Sequence, residues 1–280
     1  MAFTRTEPRY SPGGAALGQS NGLATAESIL ALNAQIGNFG LPGGVFVTPL
    51  APVQGEYHRP ASAQEMTDFI AKMKNGGVKV LFVHGVNPVF ELPKHLGFAE
   101  ALESVSQVIS FATFPDETAL AADYIFPDHH GLESWGYQRA VVSAKPVLSG
   151  AQPVVAPYFN TRSTADVFLA AAPESLPFAD EVAFIQSKLT ILVGEEDDTS
   201  ATEIYTFTAY FQQHGGWWTM DPALSSPSAA NALGKRLDPG KAEFTGEGEF
   251  FFLPFVSPTL GEAGANKPWL QELADPTTTV

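Results

Sequence analysis

Cysteine is absent from all 280 residues. That excludes disulfides, thiolate catalysis and cysteine-bound zinc, haem or iron–sulfur clusters within this polypeptide. Basic side chains are also scarce: 15 Lys and Arg stand against 30 Asp and Glu, a formal net charge of −15. No cluster of cations exists to displace counterions from a phosphate backbone, so nucleic acid is not an expected partner. Charged residues of both signs make up only 16% of the chain, so some of the surface is expected to be covered by something other than water. No apolar run approaches the roughly 20 residues of a membrane-spanning helix. Residues 1–12, MAFTRTEPRYSP, carry arginines without the apolar core of a signal peptide. No HExxH signature occurs, and no internal repeat is present.

The chain is organised around residues 79–88, KVLFVHGVNP. Val80, Leu81, Phe82, Val83 and Val86 form a short β-rich apolar run that Gly85, Asn87 and Pro88 stop, which predicts a buried central strand. Residues 107–114, QVISFATF, predict a second strand, and residues 97–105 a helix between the two, with Phe98, Leu102 and Val105 on one face. Strand, helix, strand of this length is a parallel crossover unit. Ligands in open α/β sheets lie beyond the carboxyl ends of the strands, so a site is expected at Asn87 and in the segment after Phe114.

Elsewhere, helical spacing predicts a helix over 23–36, ended by GNFGLPGG at 37–44. Ser62 with Glu65 forms a capping box opening a helix over 63–75. A helical turn is expected at 117–122, a very short third strand at 123–127, and an extended, edge-like path through the prolines of 141–157. Residues 161–172 predict a helix capped by Thr161 or Ser163, with Val167, Phe168 and Ala171 facing inward. From Pro173 the chain becomes irregular, with an acidic run at 195–198, aromatics at 205–218 and a glycine-rich stretch at 238–248. A helix at 203–213 and a strand at 250–256 are expected there. The division is therefore a tail of residues 1–12, an α/β domain of 13–172 and an irregular lobe of 173–280.

The chemistry-bearing residues admit two readings each. Gly13, Gly14, Gly18 and Gly22 invite a phosphate cradle, but their spacing is neither a P-loop nor GxGxxG after a strand, so a loop is the preferred reading. His129 and His130 beside Asp128 and Glu133 suggest a metal, yet adjacent histidines point apart and no third His has a motif spacing. Asp116, Glu117, Asp123 and Glu133 include possible acid/base pairs, while caps and loop positions explain them equally well. His84, inside the apolar strand, reads as a satisfied core histidine. Trp217 and Trp218 read as packing or a subunit interface before a stacking platform. By residue chemistry alone the chain is a binding or structural module without an assembled active site.

LALNAQIGNFGLPGGV at 30–45, VLFVHGVNPVFELP at 80–93, ISFATFPDETALAADYIFPDHHGLESWG at 109–136 and QPVVAPYFNTRSTADVFLAAA at 152–172 together resemble the molybdopterin oxidoreductase superfamily of the dimethyl-sulfoxide-reductase type. Most of them resemble the third domain of those large subunits. Within the superfamily, ESWG at 133–136, the paired strands before it and ANKPWLQELADPTT at 265–278 are most similar to the B subunits of alternative complex III, a quinol-oxidising complex of respiratory and photosynthetic chains.

The resemblance implies a Rossmann-like α/β domain that forms one side of a dinucleotide groove. Asn87 and the loop Phe114, Asp116 and Thr118 match positions near a guanine nucleotide in cofactor-bearing relatives, and Asp123 and Glu133 match recurrent polar positions of the same motif. Cofactor-bearing members add an N-terminal domain and a C-terminal β-barrel that this sequence does not display, and in alternative complex III the corresponding region is not expected to carry molybdenum. The expectation is therefore a vestigial groove, with neither cofactor nor metal held by this chain alone and no catalytic residue. The function implied is a non-catalytic scaffold for iron–sulfur and haem subunits in a membrane-bound quinol-oxidising complex. On this reading the chain reaches the extracytoplasmic face through signal-bearing partners, with no membrane span of its own. The alternative is part of a true molybdenum enzyme, with molybdopterin guanine dinucleotide, completed in trans by other chains.

Overall fold

The computed structural model describes residues 18–53, 60–140, 143–172, 174, 176–194, 203–227, 240–252 and 272. The expectations for the tail, the start of the glycine-rich loop, the acidic run, most of the 250–256 strand and nearly all of the terminal motif lie outside these residues. Residues 250–252 themselves are exposed and form no strand.

Helix α1 (Gly22–Gln35) precedes α2 (Ala63–Lys74), whose start is the predicted capping box: Ser62 accepts from the Glu65 N–H while the Glu65 carboxylate accepts from the Ser62 N–H. There follow β1 (Val80–His84), α3 (Pro88–Glu91), α4 (Phe98–Leu102), β2 (Gln107–Phe111), α5 (Glu117–Leu120) and β3 (Tyr124–Ile125). Strands β1, β2 and β3 pair in that order, all parallel. One face is covered by α2 and α4: Ile70, Met73, Phe98, Ala101, Leu102, Val105 and Val108 are buried together, with Leu81 packed against them. Each large side chain buried in this way contributes roughly 1.5–3 kcal/mol, which is why the crossover stays on this face.

The opposite face is thinner. Phe82 and Phe111 meet Phe168 of α6 (Thr164–Ala171), with ring centroids 5.1 Å apart for Phe82–Phe168 and 5.3 Å for Phe111–Phe168, and Phe126 stacks on Phe111 at 5.7 Å. Phe82 nevertheless remains 50% exposed. Strand β1 is therefore not the buried central strand its composition predicted: among the described residues it is an edge, and β2 is the centre. A continuous apolar run records hydrophobicity on both faces but not how many neighbours cover them.

A second, antiparallel sheet is formed by β4 (Gly136–Arg139), β5 (Val147–Ala151) and β6 (Gly216–Trp218), with β5 in the middle. Its core joins Ala51, Val53 and Leu148 to Leu189, Leu192, Phe207, Phe211 and Trp217, supplied largely by α7 (Glu181–Leu189) and α8 (Ile204–His214). The path through 141–157 was expected to be edge-like because of its prolines, yet Pro146 and Pro153 flank β5 rather than interrupt its ladder. Strand β6, from beyond residue 173, pairs with β5 from before it. At Gly150 an added Cβ would overlap the Phe211 ring, so glycine there permits β5 and α8 to approach closely.

Candidate functional site

Gly85, with φ +65°, turns the chain out of β1, and Pro88 opens the short α3. Between them Asn87 is 5% exposed. Its Oδ1 accepts from the Thr118 N–H at 3.1 Å and from the Thr118 hydroxyl at 2.7 Å, and its Nδ2 donates to Glu117 at 2.6 Å. The Thr118 hydroxyl in turn accepts from the Val89 N–H at 3.0 Å. One amide thus staples the turn after β1 to the turn after β2, and Thr118 is fully buried beneath it. The bond from Asn87 holds the exposed Glu117 carboxyl below the usual carboxylate range. Asp116 caps α5 by accepting from the Ala119 N–H at 2.8 Å, and Phe114 stands 61% exposed beside it.

The remaining two groove residues lie elsewhere. Asp123 accepts from the Val108 N–H at 2.7 Å, near the amino end of β2, so it sits at the other end of the sheet from Asn87. Glu133 accepts from the Tyr158 N–H at 3.0 Å and the His130 N–H at 3.1 Å, which lowers its carboxyl below the usual range, the Tyr158 bond most. It anchors a loop. Asn87, Phe114, Asp116 and Thr118 therefore come together, whereas Asp123 and Glu133 join neither them nor each other.

A second polar network went unread in the sequence. His84, expected to be a satisfied core histidine, has a side chain 59% exposed, and its Nε2 lies 2.8 Å from Asp128 Oδ2. The alternation of β1 places His84 on the thinly covered face with Phe82. Asp128 also accepts from the Thr164 N–H at 3.2 Å, the Thr164 hydroxyl at 2.9 Å and the His129 N–H at 2.9 Å. It ties the end of β1 to the start of α6. The only signal was an aspartate directly after the third strand. His129 and His130 do point apart: His129 Nδ1 meets Thr161 Oγ1 at 2.7 Å, and His130 Nδ1 accepts from the Leu132 N–H at 3.2 Å. No group of three His, Asp or Glu among the described residues is placed to hold a metal ion.

Beyond Glu133 lies a cleft of ≈ 440 Å³ lined by Trp135, Val154, Val155, Asp166, Asp180 and Glu181 among others. Burial raises the Glu181 carboxyl above its ordinary value, opposed by a bond from Ser163 and reinforced by the nearby carboxylates Asp166 and Asp128.

The donor set at the carboxyl end of the parallel sheet fits a dinucleotide poorly. Both heteroatoms of the Asn87 amide are engaged within the protein. The surrounding side chains, Asp116, Glu117 and Asp128, are carboxylates that repel a diphosphate, and among the described residues none is bonded to a Lys or Arg. The described residues do not by themselves complete such a pocket.

A parallel β–α–β unit whose buried polar staple lies at the carboxyl strand ends defines a Rossmann-like α/β protein. The sequence model of the molybdopterin oxidoreductase family matches residues 7–172, and the chain belongs to that family. Over 164 residues it is 31% identical to the menaquinone reductase molybdopterin-binding-like subunit of Nitratidesulfovibrio vulgaris, covering 56% of this chain and 24% of that protein. The chain thus spans about a quarter of that relative's length. Among solved structures, acetylene hydratase from Pelobacter acetylenicus superposes with a TM-score of 0.38 at 18% identity, covering 56% of this chain and 21% of the other.

Proposed function

We propose that this protein is a non-catalytic, molybdopterin-oxidoreductase-like subunit of a membrane-bound, quinone-linked electron-transfer complex of the alternative complex III type. Its role is to scaffold iron–sulfur and haem subunits at the extracytoplasmic face. The observation that carries the reading is the Asn87 staple: the side chain matched to a nucleotide-facing position is buried and spends its amide on Thr118 and Glu117. Such a group stabilises two loops: its oxygen has both acceptor sites filled by Thr118, and of its two N–H donors one is held by Glu117. Family membership supports the reading. So does the relative, whose own name describes it as a subunit and as molybdopterin-binding-like. On this proposal residues 13–172 are the family-like domain and 173–280 an appended lobe. Of the six matched positions, Asn87, Phe114, Asp116 and Thr118 are then the remains of a groove without cofactor or metal, while Asp123 and Glu133 make structural bonds elsewhere.

The test is isolation of the native complex from membranes in mild detergent, with mass spectrometry of its subunits and elemental analysis. Iron-bearing iron–sulfur and haem subunits without molybdenum or tungsten are expected. Stoichiometric molybdenum together with chains that complete the fold would instead establish a working half-site, the second reading that the sequence leaves open.

A further inference from the structure

The loop entering α6 carries a second feature that the family-like groove does not involve. Residues 153–159, PVVAPYF, hold Val154, Val155, Tyr158 and Phe159 out into solvent, Tyr158 at 85% and Phe159 at 74% exposure. Leu132 is exposed beside them. An apolar ridge of this kind is expensive to leave in water and marks an interaction surface.

The ridge is not slack. The N–H groups of Val154 and Val155 both donate to the Leu132 carbonyl, at 2.9 and 3.4 Å, and the Tyr158 N–H donates to Glu133 at 3.0 Å. Pro153 and Pro157 restrict the backbone at both ends, and the Tyr158 and Phe159 rings brace each other edge to face at 4.9 Å between centroids. A surface fixed in advance loses little further entropy when it is covered.

Charge identifies what would cover it. The ridge borders the ≈ 440 Å³ cleft, whose walls carry Glu133, Asp166, Asp180 and Glu181 and no Lys or Arg. Among the described residues none of these carboxylates is paired with a Lys or Arg. Their bonds come from the N–H groups of His130, Tyr158, Glu181 and Ala183 and from the Ser163 hydroxyl. Trp135 adds an aromatic wall on which a guanidinium or ammonium group can rest.

We propose that the 153–159 ridge and the adjoining acidic cleft are the docking surface for a partner polypeptide that presents a basic, apolar segment. Its aliphatic or aromatic side chains cover Val154, Val155, Tyr158 and Phe159, and its Lys or Arg side chains enter the cleft. The inference rests on the reading of this chain as a subunit, and it names the face through which one partner is held. Glu133 then serves the interface indirectly, because its carboxylate sets the loop that displays Tyr158.

The test places a photo-crosslinking benzoylphenylalanine at Tyr158 of the full chain in native membranes, with Gln64 on α2 as the control position. The expected product joins position 158 to a peptide of a co-purifying subunit that contains both Lys or Arg and large apolar residues. Its yield is expected to fall at least about threefold between ~0.1 and ~1 M salt, as screening weakens exposed charge pairs. In parallel, the double variant Val154→Asp, Tyr158→Asp is expected to lower recovery of that subunit by about tenfold or more, with an unchanged melting curve. Subunits that co-purify while position 158 reaches none of them, or reaches an acidic segment, lipid or a second copy of this chain, would overturn the docking surface and leave the subunit reading standing. A chain recovered from membranes without any partner would overturn both.

Discussion

Asn87 and Glu181 show how differently two polar side chains act in this fold. Asn87 holds two loops whose bonding residues, Asn87 and Thr118, are 31 apart in sequence, and its removal leaves the fully buried Thr118 hydroxyl and N–H without their acceptor. Asn87→Ala is therefore expected to destabilise the chain by about 2–4 kcal/mol, read as a lower urea midpoint with an unchanged slope. Glu181 works against folding. Its carboxyl is raised by burial, so between its unfolded value of ~4.3 and its folded value the native state binds more protons than the unfolded state, and stability falls as pH rises through that window. Glu181→Gln keeps an acceptor for Ser163 and removes the charge. Its melting temperature at pH 7 is expected to exceed the parent's by about 1–2 °C, an advantage that shrinks as pH falls toward ~4. The opposite trend with pH would remove the burial argument.

At the level of elements, the helices are held by caps that sequence spacing already displays. Ser62→Ala removes the hydroxyl half of the capping box on α2 and leaves the backbone N–H at position 62 to donate to Glu65, a loss of about 1 kcal/mol, which a thermal melt resolves and Ser62→Thr should largely avoid. The contact between β5 and α8 has no such local code. Gly150→Ala pushes a methyl group into the buried Phe211 ring and is expected to cost about 1–3 kcal/mol. Adding Phe211→Leu, which costs stability alone, should recover part of that loss in a double-mutant cycle, because the smaller side chain vacates the space. Strict additivity of the two changes would mean that the positions do not touch.

The whole molecule carries a net charge of −15 and few cations to offset it. Self-repulsion of that size loosens the compact state and is screened by salt. Raising salt from ~0.02 to ~0.3 M is expected to lift the melting temperature of the isolated chain by about 1–3 °C, the reverse of its expected effect on the basic partner at the 153–159 ridge. No helix among the described residues is long and apolar enough to cross a membrane. The chain spans about a quarter of its relative's length, and the sheet face around Phe82 is only half covered among the described residues.

Sequence alone was sufficient wherever the signal is local. The capping box at Ser62, the stop at Gly85 to Pro88, the parallel unit from Val80 to Phe111 and the cap at Asp116 follow from side chains that act on backbone within a few residues, and the quoted motifs led to the family without coordinates. Tertiary structure decided what depends on neighbours distant in the chain. It made β2 rather than β1 the central strand, set β5 inside a sheet completed by β6 from the far lobe, and distributed the six groove residues over three places. It also turned His84 from the core toward Asp128, 44 residues away. A hydrophobic pattern states that a residue will be buried or paired, whereas the partner is chosen by how helices and strands pack on one another. No window of sequence short enough to read locally contains that choice.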